Sequence, residues 1–212
     1  MAAGASMTQG SLGADWVASL RAAFPAYEFV NAGSNGNTTA DLLQRVDTDI
    51  VACRPAAVTL LIGTNDVRDG VPLEEYRANL RAIVDRVRSG TGARVALMSL
   101  PPRRGPERPD QPHPHPLQRR DQGHRRPDGA DHLALHERMA GILRHGARTP
   151  YGFGFPLAFS VAAQHYLLGR TWDDIARAGG RELLVDHVHL TDRGGALVTE
   201  LAGGWLSGIT EP

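Results

Sequence analysis

The sequence predicts a three-layer α/β domain: a mostly parallel sheet with helices on both faces. Two observations carry this expectation. Short apolar runs alternate with longer runs of helical period along the 212 residues. The short runs are also nearly continuous in apolar character and end in Gly, Asn or Pro, as strands buried on both faces do. This length suits one domain over residues 1–212, without a second core.

Taken in order, the opening MAAGASMTQG holds at most a stub of strand before Gly4, so the first strand is expected to be largely missing. ADWVASLRAAF (14–24) follows as an amphipathic helix. YEFVNAG (27–33) is the next strand. It leads into TTADLLQRVDTDIVAC, whose Leu42, Leu43, Val46 and Ile50 share one helical face behind Thr38 or Thr39 as N-cap. AVTLLIGT (57–64) is a third strand, and PLEEYRANLRAIVDRVRS a helix with Pro72 at its first turn. That helix turns Leu73, Tyr76, Leu80, Ile83, Val84 and Val87 inward. RVALMSLP (94–101) is a further strand, and a final helix from about Asp192 carries Leu197, Val198, Leu201 and Trp205 at three-to-four spacing. Ligands of such sheets bind at the carboxyl ends of the strands.

One stretch breaks the rhythm. Residues 103–129, rich in arginine and proline, have no apolar period where the repeat demands a helix, and are expected to form an irregular loop. With synonymous codons chosen freely, LQRRDQGHRRPDG (117–129) shifted by one base encodes an amphipathic helix with a glycine stop. A pair of compensating frameshifts is therefore the expected origin of the stretch, and the nucleotide sequence decides it.

Composition excludes several function classes. The 23 basic and 23 acidic side chains cancel, so no global field draws the chain to nucleic acid or an anionic membrane. The arginines of 103–129 lack the interleaved aromatics of an RNA-binding surface. Cys53 is the only cysteine, which forbids an internal disulfide or a thiolate cluster; near a helix end, it is expected to be a small buried apolar residue. No 18-residue apolar run spans a bilayer and no signal-peptide pattern opens the chain, so a cytoplasmic location is expected, with no stable membrane insertion.

Three strand-end motifs carry candidate chemistry. In VNAGSNGNTTADLL a Gly-rich turn meets a helix start and exposes N–H groups to an anion, although such turns also occur as plain connections. LLIGTNDV delivers Asn65 and Asp66 past a buried strand, either to aim an amide into a cleft or to cap their own turn. LLVDHVHLTDRGG sets Asp186 three residues before His189. This is the spacing for a general base with the carboxylate that orients it, or for a strand end and helix cap. His187 makes a metal-binding pair with His189 the rival reading, without the close carboxylate or cysteine that would complete a site.

GASMTQG, NAGSNGNTT, LLIGTNDV and DHVHLTDRG, in this order and each at a strand end, resemble the GDSL-type SGNH serine hydrolases over nearly the whole chain. The resemblance implies a flavodoxin-like fold and hydrolysis of small or lipid-like carboxylic esters through an acyl-enzyme, with no cofactor and no metal. It assigns Ser6 as nucleophile, its N–H, Gly36 and Asn65 as oxyanion donors, His189 as general base and Asp186 as its orienting carboxylate. The family pattern has Gly-Asp-Ser where this chain has Gly4-Ala5-Ser6. A carboxylate that helps hold the nucleophile turn is thereby absent, and a catalytically impaired relative is the alternative reading. FPLAFSVAAQHYLLG (155–169) is an apolar helix that lines an acyl pocket, covers the site or packs on the sheet, and PHPHP (112–116) is a flexible tract rather than a metal site.

Overall fold

The computed structural model describes residues 1–102, 129–143 and 154–210. The readings made for 103–128, the frameshift and PHPHP among them, fall outside the described residues.

Among the described residues the sheet has five parallel strands in the order β2-β1-β3-β4-β5: β1 (Ala2–Gly4), β2 (Asn31–Gly33), β3 (Ala57–Leu61), β4 (Arg94–Met98) and β5 (Asp131–Leu133). The expected loss of the first strand resolves into three surviving residues in the centre of the sheet. Ala2, Ala3 and Gly4 pair with Asn31, Ala32 and Gly33 on one side and with Thr59, Leu60 and Leu61 on the other. Parallel pairing on both edges satisfies the backbone of so short a strand where side chains as small as alanine contribute little.

Strand residues alternate between two cores, as the period of two requires. Ala2, Leu61, Ala96, Met98 and Leu133 face one layer of helices: α2 (Trp16–Ala23), α6 (Leu135–Leu143) and α9 (Asp192–Thr210). Ala3, Ala32, Val58, Leu60, Val95 and Leu97 face the other: α3 (Thr39–Asp49) and α5 (Leu73–Thr91). Leu42, Val46 and Ile50 are fully buried as their spacing predicts, as are Ile83, Val84 and Val87. Each such side chain contributes roughly 1.5–3 kcal/mol over its exposed state. Thr38 begins α3 with a capping box, its hydroxyl accepting the Asp41 N–H while the Asp41 carboxylate accepts the Thr38 N–H.

Among the described residues four helices were not foreseen, α6 among them. α1 (Ser6–Gln9) and α4 (Thr64–Asp69) are too short to show a period, and α8 (Trp172–Ala178) follows a Thr171 cap. α7 (Phe155–Tyr166) corrects one expectation, because it packs on α8 rather than on the sheet. Val161, Trp172, Ile175 and Ala176 form a third small core with Leu12 and Val185. Cys53 corrects another: it is exposed at the end of a 3-10 turn, Val51–Cys53, because Ile50 takes the inward position at the end of α3. No described helix is long and apolar enough to cross a membrane.

Gly4 is where the strand meets the turn it carries. A Cβ there would stand 2.2 Å from the Leu61 carbonyl oxygen and 2.5 Å from Thr8 Oγ1, so β1 lies against its neighbours only without a side chain. Gly4→Ala is expected to destabilise the fold by about 1–3 kcal/mol through overpacking. That is a fall in melting temperature on the order of 2–4 °C per kcal/mol at this chain length, read by calorimetry or circular dichroism.

Candidate active site

β1 ends at Gly4, and the chain turns through Ala5 so that Ser6 opens α1. Ala5 is the N-cap of this single turn, is buried, and has no side chain able to accept a hydrogen bond. Backbone and neighbours hold the turn instead. The N–H groups of Thr8 and Gln9 both donate to the Ala5 carbonyl at 3.0 Å. Trp16 Nε1 donates to the Met7 carbonyl at 2.9 Å, and Asn31 Nδ2 to the Thr8 carbonyl at 2.8 Å.

From the other end of the chain, Leu184 and Leu190 form an antiparallel bridge, closed by Val185 N–H donating to the His189 carbonyl at 2.7 Å. Asp186 and His189 sit within this narrow loop. Asp186 Oδ1 accepts the N–H groups of His189 at 2.8 Å and Val188 at 3.2 Å. Its Oδ2 lies 2.7 Å from His189 Nδ1, and His189 Nε2 lies 2.9 Å from Ser6 Oγ. An ionised carboxylate only accepts, so the proton between Asp186 and the imidazole belongs on Nδ1. That leaves Nε2 with its lone pair facing the Ser6 hydroxyl, which donates. Both imidazole nitrogens are thus engaged, and among the described residues no group of three or more His, Cys, Asp or Glu side chains is placed to hold a metal ion.

Three sequence-predicted residues, Ser6, Asp186 and His189, meet directly. The other two, Gly36 and Asn65, are tied to the same strand end through their loops. Gly36 has φ 78°, and open space lies where a side chain would project. Its turn is anchored by Ser34 N–H donating to the Gly4 carbonyl at 3.1 Å and by Asn35 N–H donating to Gln9 Oε1 at 2.6 Å. Asn65, buried in α4, gives one amide hydrogen to the Asn37 carbonyl at 2.8 Å, which leaves the second for another acceptor. Asp66 does not cap its own turn. Its carboxylate accepts the Thr39 N–H at 3.0 and 3.1 Å, binding α4 to the start of α3.

Electrostatics keep the carboxylate charged. Burial, the largest single influence on Asp186, pushes its carboxyl up. The hydrogen bond from the His189 side chain, then the attraction to its ring, then the His189 and Val188 N–H groups act the other way and hold it below the ordinary carboxylate range. Burial and the nearby Arg181 guanidinium both push the His187 imidazole down, favouring its neutral form. His187 itself has φ 78°, rare outside glycine, in the loop between the two site residues.

Several contributors escape sequence reading. Arg45 and Asn37 join the loops, Trp16 and Asn31 hold α1, and Tyr166 donates from α7 to the Ser11 carbonyl at 2.6 Å. Only the adjacency of Asp66 to Asn65, and of Asn37 to Gly36, offered a signal.

Comparison with known proteins follows this geometry. The model of the GDSL-like lipase/acylhydrolase family matches residues 2–197, and the chain belongs to that family. It is 37% identical over 91 residues to an acetylxylan esterase of Geobacillus stearothermophilus, covering 35% of this chain and 42% of that protein. It is 35% identical over 97 residues to esterase TesA of Pseudomonas aeruginosa, covering 43% of this chain and 48% of that one. The chain therefore spans less than half the length of either relative in these matches. Among solved structures, the acetylxylan esterase of Geobacillus stearothermophilus superposes with a TM-score of 0.62 at 20% identity, covering 100% of this chain and 93% of that one. A lipase/acylhydrolase of Enterococcus faecalis superposes with a TM-score of 0.55 at 21% identity, covering 100% and 96%. At such identities the likeness is one of fold.

The Asp186 environment sets a testable pH dependence. A carboxyl held below its unfolded value of about 3.9 stabilises the fold fully above that pH, and the contribution disappears as pH falls through the folded value. The stability gap between the protein and its Asp186→Asn variant, measured by urea unfolding, is expected to close as pH falls from about 5 into acid. A gap that widens on acidification contradicts this account.

Proposed function

We propose that this member of the GDSL-like lipase/acylhydrolase family is a serine hydrolase that cleaves carboxylic esters through an acyl-enzyme. The observation that carries the reading is the unbroken line Ser6 Oγ, His189 Nε2, His189 Nδ1, Asp186 Oδ2, with gaps of 2.9 and 2.7 Å across its two hydrogen bonds. A serine hydroxyl is a weak nucleophile until a base within this reach takes its proton. Ser6 Oγ attacks the ester carbonyl while His189 Nε2 receives the proton, and Asp186 stabilises the imidazolium formed. The negative oxygen of the tetrahedral intermediate is received by the N–H groups of Ser6 and Gly36 and by the second hydrogen of Asn65 Nδ2. Collapse breaks the bond to the alcohol, which leaves with the proton from His189. Water, deprotonated by the same imidazole, then releases the acid from Ser6.

The uncharged balance of the chain suits neutral esters. The relative named an acetylxylan esterase supports short acyl groups, acetylated sugars included, and aryl esters and lysophospholipids are further candidates that the same chemistry would accept. A second reading, that of a catalytically impaired relative, draws on Ala5, which gives the nucleophile turn no side-chain cap. The intact line from Ser6 to Asp186 favours the first.

A fluorophosphonate probe is expected to label the folded protein on Ser6 and to leave Ser6→Ala unlabelled. Hydrolysis of p-nitrophenyl esters of increasing chain length, absent in Ser6→Ala, then gives the acyl preference. Asn65→Ala is expected to lower kcat by roughly 10²–10³. If the native protein is neither labelled nor active and Ala5→Asp gains both, the second reading replaces the first.

A further inference from the structure

Arg45 stands outside every motif that suggests chemistry, yet its guanidinium reaches β1, β2 and the turn that follows β2. Nη2 donates to the carbonyls of Gly4, the last residue of β1, at 3.1 Å and of Ala32, the middle residue of β2, at 3.0 Å. Nε donates to Asn37 Oδ1 at 2.7 Å, and Nη1 pairs with Asp49 Oδ2 at 2.9 Å one helical turn away. The side chain is only 20% exposed, so these bonds are shielded from competing water. Asn37 extends the chain of contacts, since its carbonyl accepts the Asn65 amide at 2.8 Å.

Gly4 precedes Ser6 by two residues, and Asn37 follows Gly36 directly. One rigid, planar cation therefore fixes the strand that carries the nucleophile against the turn that carries Gly36 and accepts a hydrogen bond from Asn65. We propose that Arg45 is a positioning residue that holds Ser6 in register with Gly36 and Asn65, a constraint that Ala5, lacking a capping side chain, cannot supply. Arg45 touches neither substrate nor reacting atoms. It acts through Gly4 and Asn37, and the fixed fork of the guanidinium is essential, because the ammonium of lysine cannot reach the two carbonyls and the amide oxygen with the same geometry. Placement within a few tenths of an ångström is what an oxyanion donor needs, and misplacement appears in turnover rather than in substrate affinity.

The inference rests on the esterase reading above. Its test compares kcat, KM and melting temperature, with p-nitrophenyl acetate as substrate, for the native protein, Arg45→Lys, Asn37→Ala, Asn65→Ala, Ser6→Ala and the double variant Arg45→Lys/Asn65→Ala. Arg45→Lys is expected to lower kcat about 10–100-fold with KM within about twofold. The double variant is expected to lose less than the product of the two single losses, because one of the donors that Arg45 positions is already gone. Full multiplicative loss in the double variant, unchanged kcat in Arg45→Lys, or a loss that follows the melting temperature overturns the inference. Should Arg45→Lys fail to fold, half-buried Asn37→Ala decides: a lowered kcat at unchanged KM supports the relay, and native kcat defeats it. Hydrolysis surviving in Ser6→Ala would instead defeat the esterase reading itself.

Discussion

A strand of three residues, hydrogen-bonded on both edges, is the constraint on which the rest of the molecule hangs. Ala2, Ala3 and Gly4 occupy the middle of the sheet, and every loop that contributes to the candidate site leaves a strand end at the same edge or folds back over it. Small residues suit that place. The two alanines bring the helical layers close, and Gly4 lets the α1 turn and the Leu61 carbonyl lie against the strand end. Side-chain burial along β1 is slight, so its position is fixed mainly by main-chain pairing and by the loops that grip its carboxyl end.

Those grips are polar and come from far apart in sequence. Asp66 binds the start of α3, Asn65 binds the turn of Gly36, and Arg45 bridges β1 and β2. Asp66, Asn65 and Arg45 each find a partner across this group, which is what makes a polar network rigid rather than costly. Rigidity of this kind is what oxyanion stabilisation requires, since donors that must reorganise during reaction lose much of their effect.

Much of this was legible in the sequence because burial leaves a periodic trace. The apolar runs at 57–64 and 94–101, and the inward faces of Leu42, Val46 and Ile50 or of Ile83, Val84 and Val87, appear where their spacing placed them. Asp186 and His189 were legible because three residues of separation suit a tight loop, although their meeting with Ser6 needs the whole fold. Elements without a period were not legible. α1 and α4 each make little more than one turn, and three-residue β5 lacks enough alternation to register. Arg45 was hidden for a different reason. A polar residue on an amphipathic helix resembles a solvent-facing one, and only tertiary structure turns its guanidinium toward β1 and β2. Cys53 misled in the opposite sense: a small apolar type near a helix end lies outside the core because Ile50 fills the inward place.

The contact between Ser6 and His189 joins residues 183 apart. A partly folded chain with its sheet formed but its Asp186–His189 loop undocked holds a serine without a base and a base without a serine. On the proposed reading, a reactive probe on Ser6 would therefore count only molecules whose two ends have met.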